Sequence, residues 1–315
     1  MALERIKDRQ LIEMFAKDCR TRGLTSGTIA AYSYSLIYFS KFLQGKGYTL
    51  LSVERNILRD YIAHIRQIGF KQKTIENHFS AFASFYDYIV YEEWAKQNIV
   101  KDVQKRYLKT YKDNDNGTNQ RKLISVEEMS HFINLILDIR DKAICIVFAK
   151  TGIRRGELIA IDLDDIDWIE MSIILKPTRK RSNRVVFFDN ECAMVLQRWI
   201  RKREQHVVTE NKALFVPYTS RRKRLNRSGV DKLFIKWATI AGLHDPNSDK
   251  IEDHFTPHCS RHWFTTYLRR AGMPREFIQE LRGDARTGAI DIYDHIDRDE
   301  LKKSYLATIP QLGLE

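Results

Sequence analysis

The placement of proline constrains this chain more than any other feature of its sequence. All six prolines (Pro177, Pro217, Pro246, Pro257, Pro274 and Pro310) stand at or beyond residue 177. The first half therefore lacks the residue that most strongly breaks a helix. Apolar residues there recur at the helical period. Ile29, Tyr32, Leu36, Phe39 and Leu43 form one stripe, and Ile75, Phe79, Phe82, Phe85 and Ile89 another. Ile12, Phe15 and Cys19 mark a shorter helix, and Val53, Ile57, Tyr61 and Ile65 a further one. Gly23, Gly45, Gly47 and Gly69 stand between these segments as stop signals. Residues 8 to about 98 are thus predicted to be a bundle of four or five helices.

The stripe fades from Lys101 to Lys122, and the polar run from Lys112 to Gln120 has linker composition. The boundaries expected are a helical front over 1–112, a linker over 113–121 and a second unit over 122–315. That unit opens with Ser125-Val-Glu-Glu128, the spacing of a capping box, and one long helical stretch is expected to follow to about Ile161. Ser172–Leu175 and Val185–Phe188 flank a basic turn and read as a β-hairpin. Further helices are expected near 190–206, 229–241, 258–271, 274–282 and 298–307. The fold class is mainly α (α+β).

Charge limits the function classes. Lys plus Arg number 53 against 41 Asp plus Glu, a net +12, which suits a nucleic-acid partner without specifying any chemistry. The longest apolar run, Ala143 to Ala149, is far short of the ~20 residues that span a bilayer. With no basic-then-apolar leader at its start, the chain is expected to be cytoplasmic, with the nucleoid as its place of work. Cys19, Cys145, Cys192 and Cys259 lie far apart, which argues against a zinc ribbon or a disulfide scaffold. Two basic runs are candidate phosphate contacts: Lys176, Arg179, Lys180, Arg181 and Arg184 in the hairpin, and Arg221, Arg222, Lys223, Arg224 and Arg227 further on. Solvated charged loops are the bland alternative for each.

Three segments carry residues suited to chemistry. In Thr151-Gly-Ile-Arg-Arg-Gly-Glu-Leu158, Arg154 follows a Thr-Gly turn and would project from a helix start, where an anion is welcome. A structural salt bridge to Glu157 or a nearby Asp is an equal alternative. Arg155 diverges by about 100° and cannot share the site. In Thr256-Pro-His-Cys-Ser-Arg-His262, Thr256 reads as an N-cap and Pro257 as the first helical residue. His258 and Arg261 then share one face. The spacing of His254, His258 and His262 by four raises a metal reading, but Pro257 separates His254 from the helix and no carboxylate or thiol completes the set. In the third segment, Leu281-Arg-Gly-Asp-Ala-Arg-Thr-Gly-Ala-Ile-Asp-Ile-Tyr-Asp-His295, Tyr293 is a candidate nucleophile, although most tyrosines are packing residues.

In this order the three segments resemble the tyrosine recombinase (lambda-integrase-like) family over nearly the whole chain. The shared pattern is Thr-Gly-Ile-Arg-x-x-Glu-Leu, a basic hairpin, His-x-x-Arg-His, and a Tyr nine residues after a Gly-x turn. The helical front is similar to the family's core-binding domain, including Gly23-Leu-Thr with Thr28 and Tyr32. Lys176-Pro-Thr-x-Lys-Arg-Ser-Asn-Arg184 and Leu-Arg-Gly-Asp are similar to archaeal integrases, and an Xer-like member also fits.

The resemblance implies site-specific DNA strand exchange. Arg154 and Arg261 would bind the non-bridging oxygens of the scissile phosphate. His258 would assist as a hydrogen-bonding or acid–base group, and a hairpin lysine would protonate the leaving 5′-oxygen. Tyr293 would attack phosphorus to leave a 3′-phosphotyrosyl bond, with no metal, ATP or other cofactor. It also implies a clamp on duplex DNA and four protomers in synapsis. The tail after Arg298, with Leu301, Tyr305 and Leu306 as its stripe, would dock on a neighbour, Tyr305 being a packing residue and not a second nucleophile.

Two positions depart from the pattern. Asp284 stands where the family usually has His or Trp, so a carboxylate there would orient Tyr293 or an Arg without acting as an imidazole. The lysine is Lys180 in the favoured register, with Lys176 the alternative. Two other functions compete. A two-metal nuclease or transposase would use Asp162, Asp164, Asp165 and Asp167, although no second acidic segment supports it. A recombinase relative that binds DNA without cutting, as an accessory or architectural factor, is kept open by Asp284.

Overall fold

A computed structural model describes residues 7–108, 121–177, 184–206, 210–220, 222–284 and 296–314. The chain divides into two compact units, Met1–Asn116 and Gly117–Glu315, each with its own apolar core.

The front unit is helical, as its proline-free sequence requires. It comprises α1 (Asp8–Thr21), α2 (Ser26–Gln44), α3 (Arg55–Gln67), α4 (Gln72–Tyr91) and the short α5 (Ile99–Val103), which runs on as a π-helical turn over Gln104–Leu108. Phe15, Phe39, Tyr61, Phe79, Phe82 and Phe85 are among its fully enclosed side chains, so the stripes read from the sequence are the faces that meet. Asp8 ties the unit together from inside. Its carboxylate accepts from the Ser40 hydroxyl at 2.5 Å and from the Leu50 backbone N–H at 2.9 Å, which satisfies a charge otherwise costly to bury.

The second unit is built round α7 (Ile139–Thr151), in which every residue from Ala143 to Thr151 is buried. A helix enclosed on all sides is a core helix, and α7 packs against α6 (Val126–Leu135), α9 (Asn190–Glu204), α10 (Arg227–Ile240) and α11 (Pro257–Arg270). The expected single helix to Ile161 is in fact three. α6 opens with the expected capping box, Ser125 with Glu128. Asp138 then caps a new helix, its side chain accepting from the Asp141 N–H, and Gly152 ends that helix at a left-handed φ of 58° before α8 (Arg155–Ala160).

The hairpin lies where it was expected, β2 (Ser172–Leu175) antiparallel to β3 (Arg184–Phe187), with Ile173 opposite Val186. A two-residue strand, β1 (Ile166–Asp167), adds an edge against β2; it is too short for any period to show. α12 (Arg275–Arg282) and α13 (Arg298–Thr308) complete the unit.

The tail docks on its own unit, which corrects the expectation that its stripe faces a neighbour. Leu301 and Tyr305 of α13 are buried, the Tyr305 hydroxyl donates to the Lys150 carbonyl at 2.9 Å, and only Leu306 of that stripe is exposed. Lys150, fully enclosed, donates to Asp189 (2.6 Å), Glu191 (2.5 Å) and the Pro310 carbonyl (2.7 Å). Glu191 in turn accepts from the backbone N–H groups of Leu312 and Leu314.

Candidate active site

Three chain segments bring arginines to the C-terminal end of α12. At the first, the glycine of the Thr151-Gly turn is required twice over. Its φ is left-handed, and a Cβ there would lie 2.3 Å from the Phe264 ring of α11. The turn sets Arg154 at the N-cap of α8, where its backbone N–H donates to Glu157 Oε2 at 2.7 Å. At the second, Thr256 takes the N-cap conformation and Pro257 the first position of α11, as the sequence indicated. Arg261 follows one turn later, almost wholly buried. At the third, Gly283 turns left-handed (φ 59°) and ends α12.

The last carbonyls of a helix have no partner within it and form the negative end of its dipole. Here they hold guanidiniums. The Arg282 carbonyl accepts from Arg154 Nη1 at 2.8 Å and from Arg261 Nη2 at 2.9 Å. Arg261 Nη1 also donates to the Gly152 carbonyl at 2.6 Å. The free donors of the pair then meet on one anionic oxygen. Asp284 Oδ1 accepts from Arg154 Nη2 at 3.1 Å and from Arg261 Nη2 at 3.3 Å, while Arg282 Nε stands 2.8 Å from Oδ2. The salt-bridge alternative for Arg154 is the one seen, with Glu157 and Asp284 as its partners. Burial, and after it the charges of Arg154 and Arg282, press the pKa of Arg261 down. Burial is the larger cause, and Asp284 and Glu157 act in the opposite sense.

His258 and Arg261 line the same cleft of about 410 Å³ with Ile153, Arg154 and Thr256. Partial desolvation of the His258 imidazole, then the Arg121 and Arg261 charges, lower its pKa and keep the ring neutral near pH 7. Arg155 and its ion-pair partner Asp231 of α10 line this cleft too, which corrects the expectation that Arg155 stays out of the site; its charge there is met by Asp231.

The basic runs separate into different fates. Arg184 was expected as a phosphate contact, and the structure corrects this. Its side chain is buried, with Nη1 and Nη2 donating to the two oxygens of Glu157 at 2.9 and 2.8 Å. Lys176 and Arg224, also expected on phosphate, both pair with Asp162, and Arg224 donates to the carbonyls of Ile159 and Ile161 as well. Their charges are drawn into the turn before β1. Arg222, Lys223 and Arg227 are exposed. Lys180, Arg179, Arg181, Arg221 and Tyr293 lie outside the described residues.

The four carboxylates of the acidic cluster do not gather at one point, although Asp162 and Asp165 both reach Lys176. Asp162 pairs with Lys176 and Arg224, Asp164 with Lys212, Asp165 accepts from the Asp162 N–H, and Asp167 accepts from the Ile169 and Glu170 N–H groups. His254 Nε2 bonds to the Ser248 carbonyl at 2.7 Å. Among the described residues no group of three or more His, Cys, Asp or Glu assembles to hold a metal ion, and all four cysteines are buried free thiols. No helix among them is long and apolar enough to cross a membrane. One member of the site has no signal in the sequence: Arg282, whose carbonyl joins the two arginines, because a main-chain acceptor leaves no side-chain signature. Glu157 reads from the sequence as a partner for Arg154 alone, whereas it also binds Arg184.

In this helix-rich unit two guanidiniums gather on one anionic oxygen and share a cleft with an imidazole, an arrangement with the chemistry to hold an oxyanion. Residues 123–300 match the phage integrase family, and residues 12–93 its N-terminal SAM-like domain. The chain belongs to the phage integrase family and is a tyrosine recombinase. Tyrosine recombinase XerC of Proteus mirabilis is 28% identical over 301 residues, covering 93% of this chain and 91% of that one. Tyrosine recombinase XerD of Listeria monocytogenes is 26% identical over 291 residues, covering 90% and 93%. The fold is shared with XerH site-specific recombinase bound to difH substrate in a pre-cleavage complex (TM-score 0.64, 21% identity, 95% of this chain and 84% of that one). It is also shared with a lambda integrase dimer bound to a COC' core site (TM-score 0.66, 14% identity, 93% and 81%).

Proposed function

We propose that this protein cleaves and rejoins duplex DNA at specific sites through a 3′-phosphotyrosyl intermediate on Tyr293, without metal or ATP. The observation that carries the reading is the convergence of Arg154 and Arg261 on a single carboxylate oxygen of Asp284. A non-bridging oxygen of the scissile phosphate takes the place of that oxygen. The carbonyls of Arg282 and Gly152 keep the guanidiniums in position through the exchange. Phosphoryl transfer asks chiefly for positioning and charge stabilisation, and two fixed guanidiniums supply both. His258, neutral at physiological pH, accepts a hydrogen bond or proton near the nucleophile. Lys180 is the general acid for the leaving 5′-oxygen, a choice supported by the engagement of Lys176 with Asp162 and Asp165, which raises its pKa. Exposed Arg222, Lys223 and Arg227 add sequence-independent grip on phosphates. The working assembly is a tetramer synapsing two DNA sites in the cytoplasm, on the nucleoid.

The test is to trap a denaturation-resistant protein–DNA adduct on a nicked duplex. Adduct formation in excess EDTA, abolished by Tyr293→Phe, is expected. An adduct that persists in the Tyr293→Phe variant overturns the nucleophile. The occupancy of the arginine pair by Asp284 favours one other reading, a relative that holds DNA without cutting. Binding with no adduct on any supercoiled or nicked site would establish that reading instead.

A further inference from the structure

We infer that Arg184 is a positioning residue for the phosphate-binding arginine Arg154, an inference that rests on the reading above. Its guanidinium is buried and uses its donors in two directions. Nη1 and Nη2 grip the two oxygens of Glu157 end-on at 2.9 and 2.8 Å, and Nε donates to the Leu281 carbonyl at 3.1 Å. Each contact leads to Arg154. Glu157 accepts from the Arg154 backbone N–H at 2.7 Å, and its other oxygen lies 3.4 Å from Arg154 Nη1. Leu281 immediately precedes Arg282, whose carbonyl holds both Arg154 and Arg261. Arg184 therefore fixes the backbone of Arg154 through a carboxylate and the acceptor of its side chain through a helix end. Gly283 shows how closely the parts fit, because a Cβ there would meet the Arg184 guanidinium at 2.7 to 2.9 Å. No lysine reproduces this geometry, since one ammonium cannot present a planar fork to a carboxylate and a third donor to a carbonyl behind it.

A buried arginine can also matter only for stability, because breaking such a pair leaves an uncompensated carboxylate. The test therefore needs a readout that stability does not move. Arg154 acts by neutralising the non-bridging oxygens. A substrate with a neutral methylphosphonate at the scissile position needs less of that neutralisation. The measurement is the single-turnover rate of adduct formation, at saturating protein, on the phosphodiester and on the methylphosphonate. Arg184→Lys is expected to be slower than wild type by about 50-fold on the phosphodiester, the scale of a small misplacement of a catalytic group, and by about fivefold or less on the methylphosphonate. If Arg184→Lys does not fold, the double variant Arg184→Met/Glu157→Leu, which replaces the ion pair with apolar volume, is expected to show the same dependence on substrate. Equal deficits on the two substrates, or no deficit on either, overturn the inference while the wild-type adduct leaves the recombinase reading intact. Absence of a wild-type adduct overturns that reading instead.

Discussion

Around Asp284 one carboxylate is shared by Arg154, Arg261 and Arg282, and the length of each contact says which is exchangeable. The arginine pair is held by carbonyls at 2.6 to 2.9 Å, whereas its bonds to Asp284 run to 3.1 and 3.3 Å. Asp284 is also partly exposed. If the scissile phosphate takes the same donors, as proposed, Asp284 competes with DNA for them, and Asp284→Asn should tighten DNA binding. Partly exposed pairs are worth about 0–1 kcal/mol, which caps the gain at about fivefold. Asp164→Asn, a charge change at an exposed pair elsewhere, supplies the control. A gain no larger than in that control would sink the idea. His258 makes a second claim. Its lowered pKa means that the neutral ring persists to lower pH than for an ordinary histidine. The acid limb of the kcat/KM profile, which reports the free enzyme, should therefore fall below about 6.5 and vanish in His258→Asn. A limb above that value, or one that survives the substitution, would count against the assignment. The meeting of Arg154, His258 and Arg261 at one cleft was legible because it depends on spacing along two helix starts. The inward turn of Arg184 was not, because a run of basic residues does not disclose which guanidinium meets a buried carboxylate.

At the scale of elements, α7 is the post to which the second unit is fastened, and Lys150 is its strongest tie. The ammonium is fully enclosed between Asp189 and Glu191 and also reaches the Pro310 carbonyl. This brings the start of α9 and the tail onto the same helix. Hydrogen bonds and the Lys150 charge hold the Glu191 carboxylate below its ordinary pKa despite burial. The stability it contributes is therefore present above the unfolded-state pKa and lost as pH falls through the depressed folded value. Lys150→Met removes the charge and leaves two carboxylates facing each other indoors, an expected cost of about 3–5 kcal/mol. Urea denaturation at pH 7 measures it, and a loss under about 1 kcal/mol would mean that the socket is not a tie. None of this was visible beforehand. Lys150 ends an apolar run and reads as the polar end of a helix, and its partners lie 39 to 160 residues away. The split of the expected long helix had a partial signal in Gly152, but Asp138 reads as an N-cap only once the chain before it is known to leave the helix at Ile136.

For the whole molecule, the 53 Lys and Arg residues behind the net charge of +12 are not equally available to DNA. Some are paired internally: Arg184 with Glu157, Lys150 with two carboxylates, Lys176 and Arg224 with Asp162. These pairs already cancel within the net charge, so the number of basic residues overstates the number of phosphates the chain can neutralise. What remains is divided between two units with separate cores, and each should contribute its own share. The logarithm of the binding constant falls with the logarithm of salt concentration by about 0.9 for each phosphate neutralised. A fragment of residues 121–315 should fold cooperatively, since its core is built entirely within that range. It should bind duplex DNA with a shallower salt slope than the full chain, the difference counting the phosphates that the front unit holds. Titrations from about 50 to 200 mM salt resolve a change of one contact. Equal slopes would mean that the front unit grips no phosphate, and a fragment that does not fold would mean that the two cores are not independent.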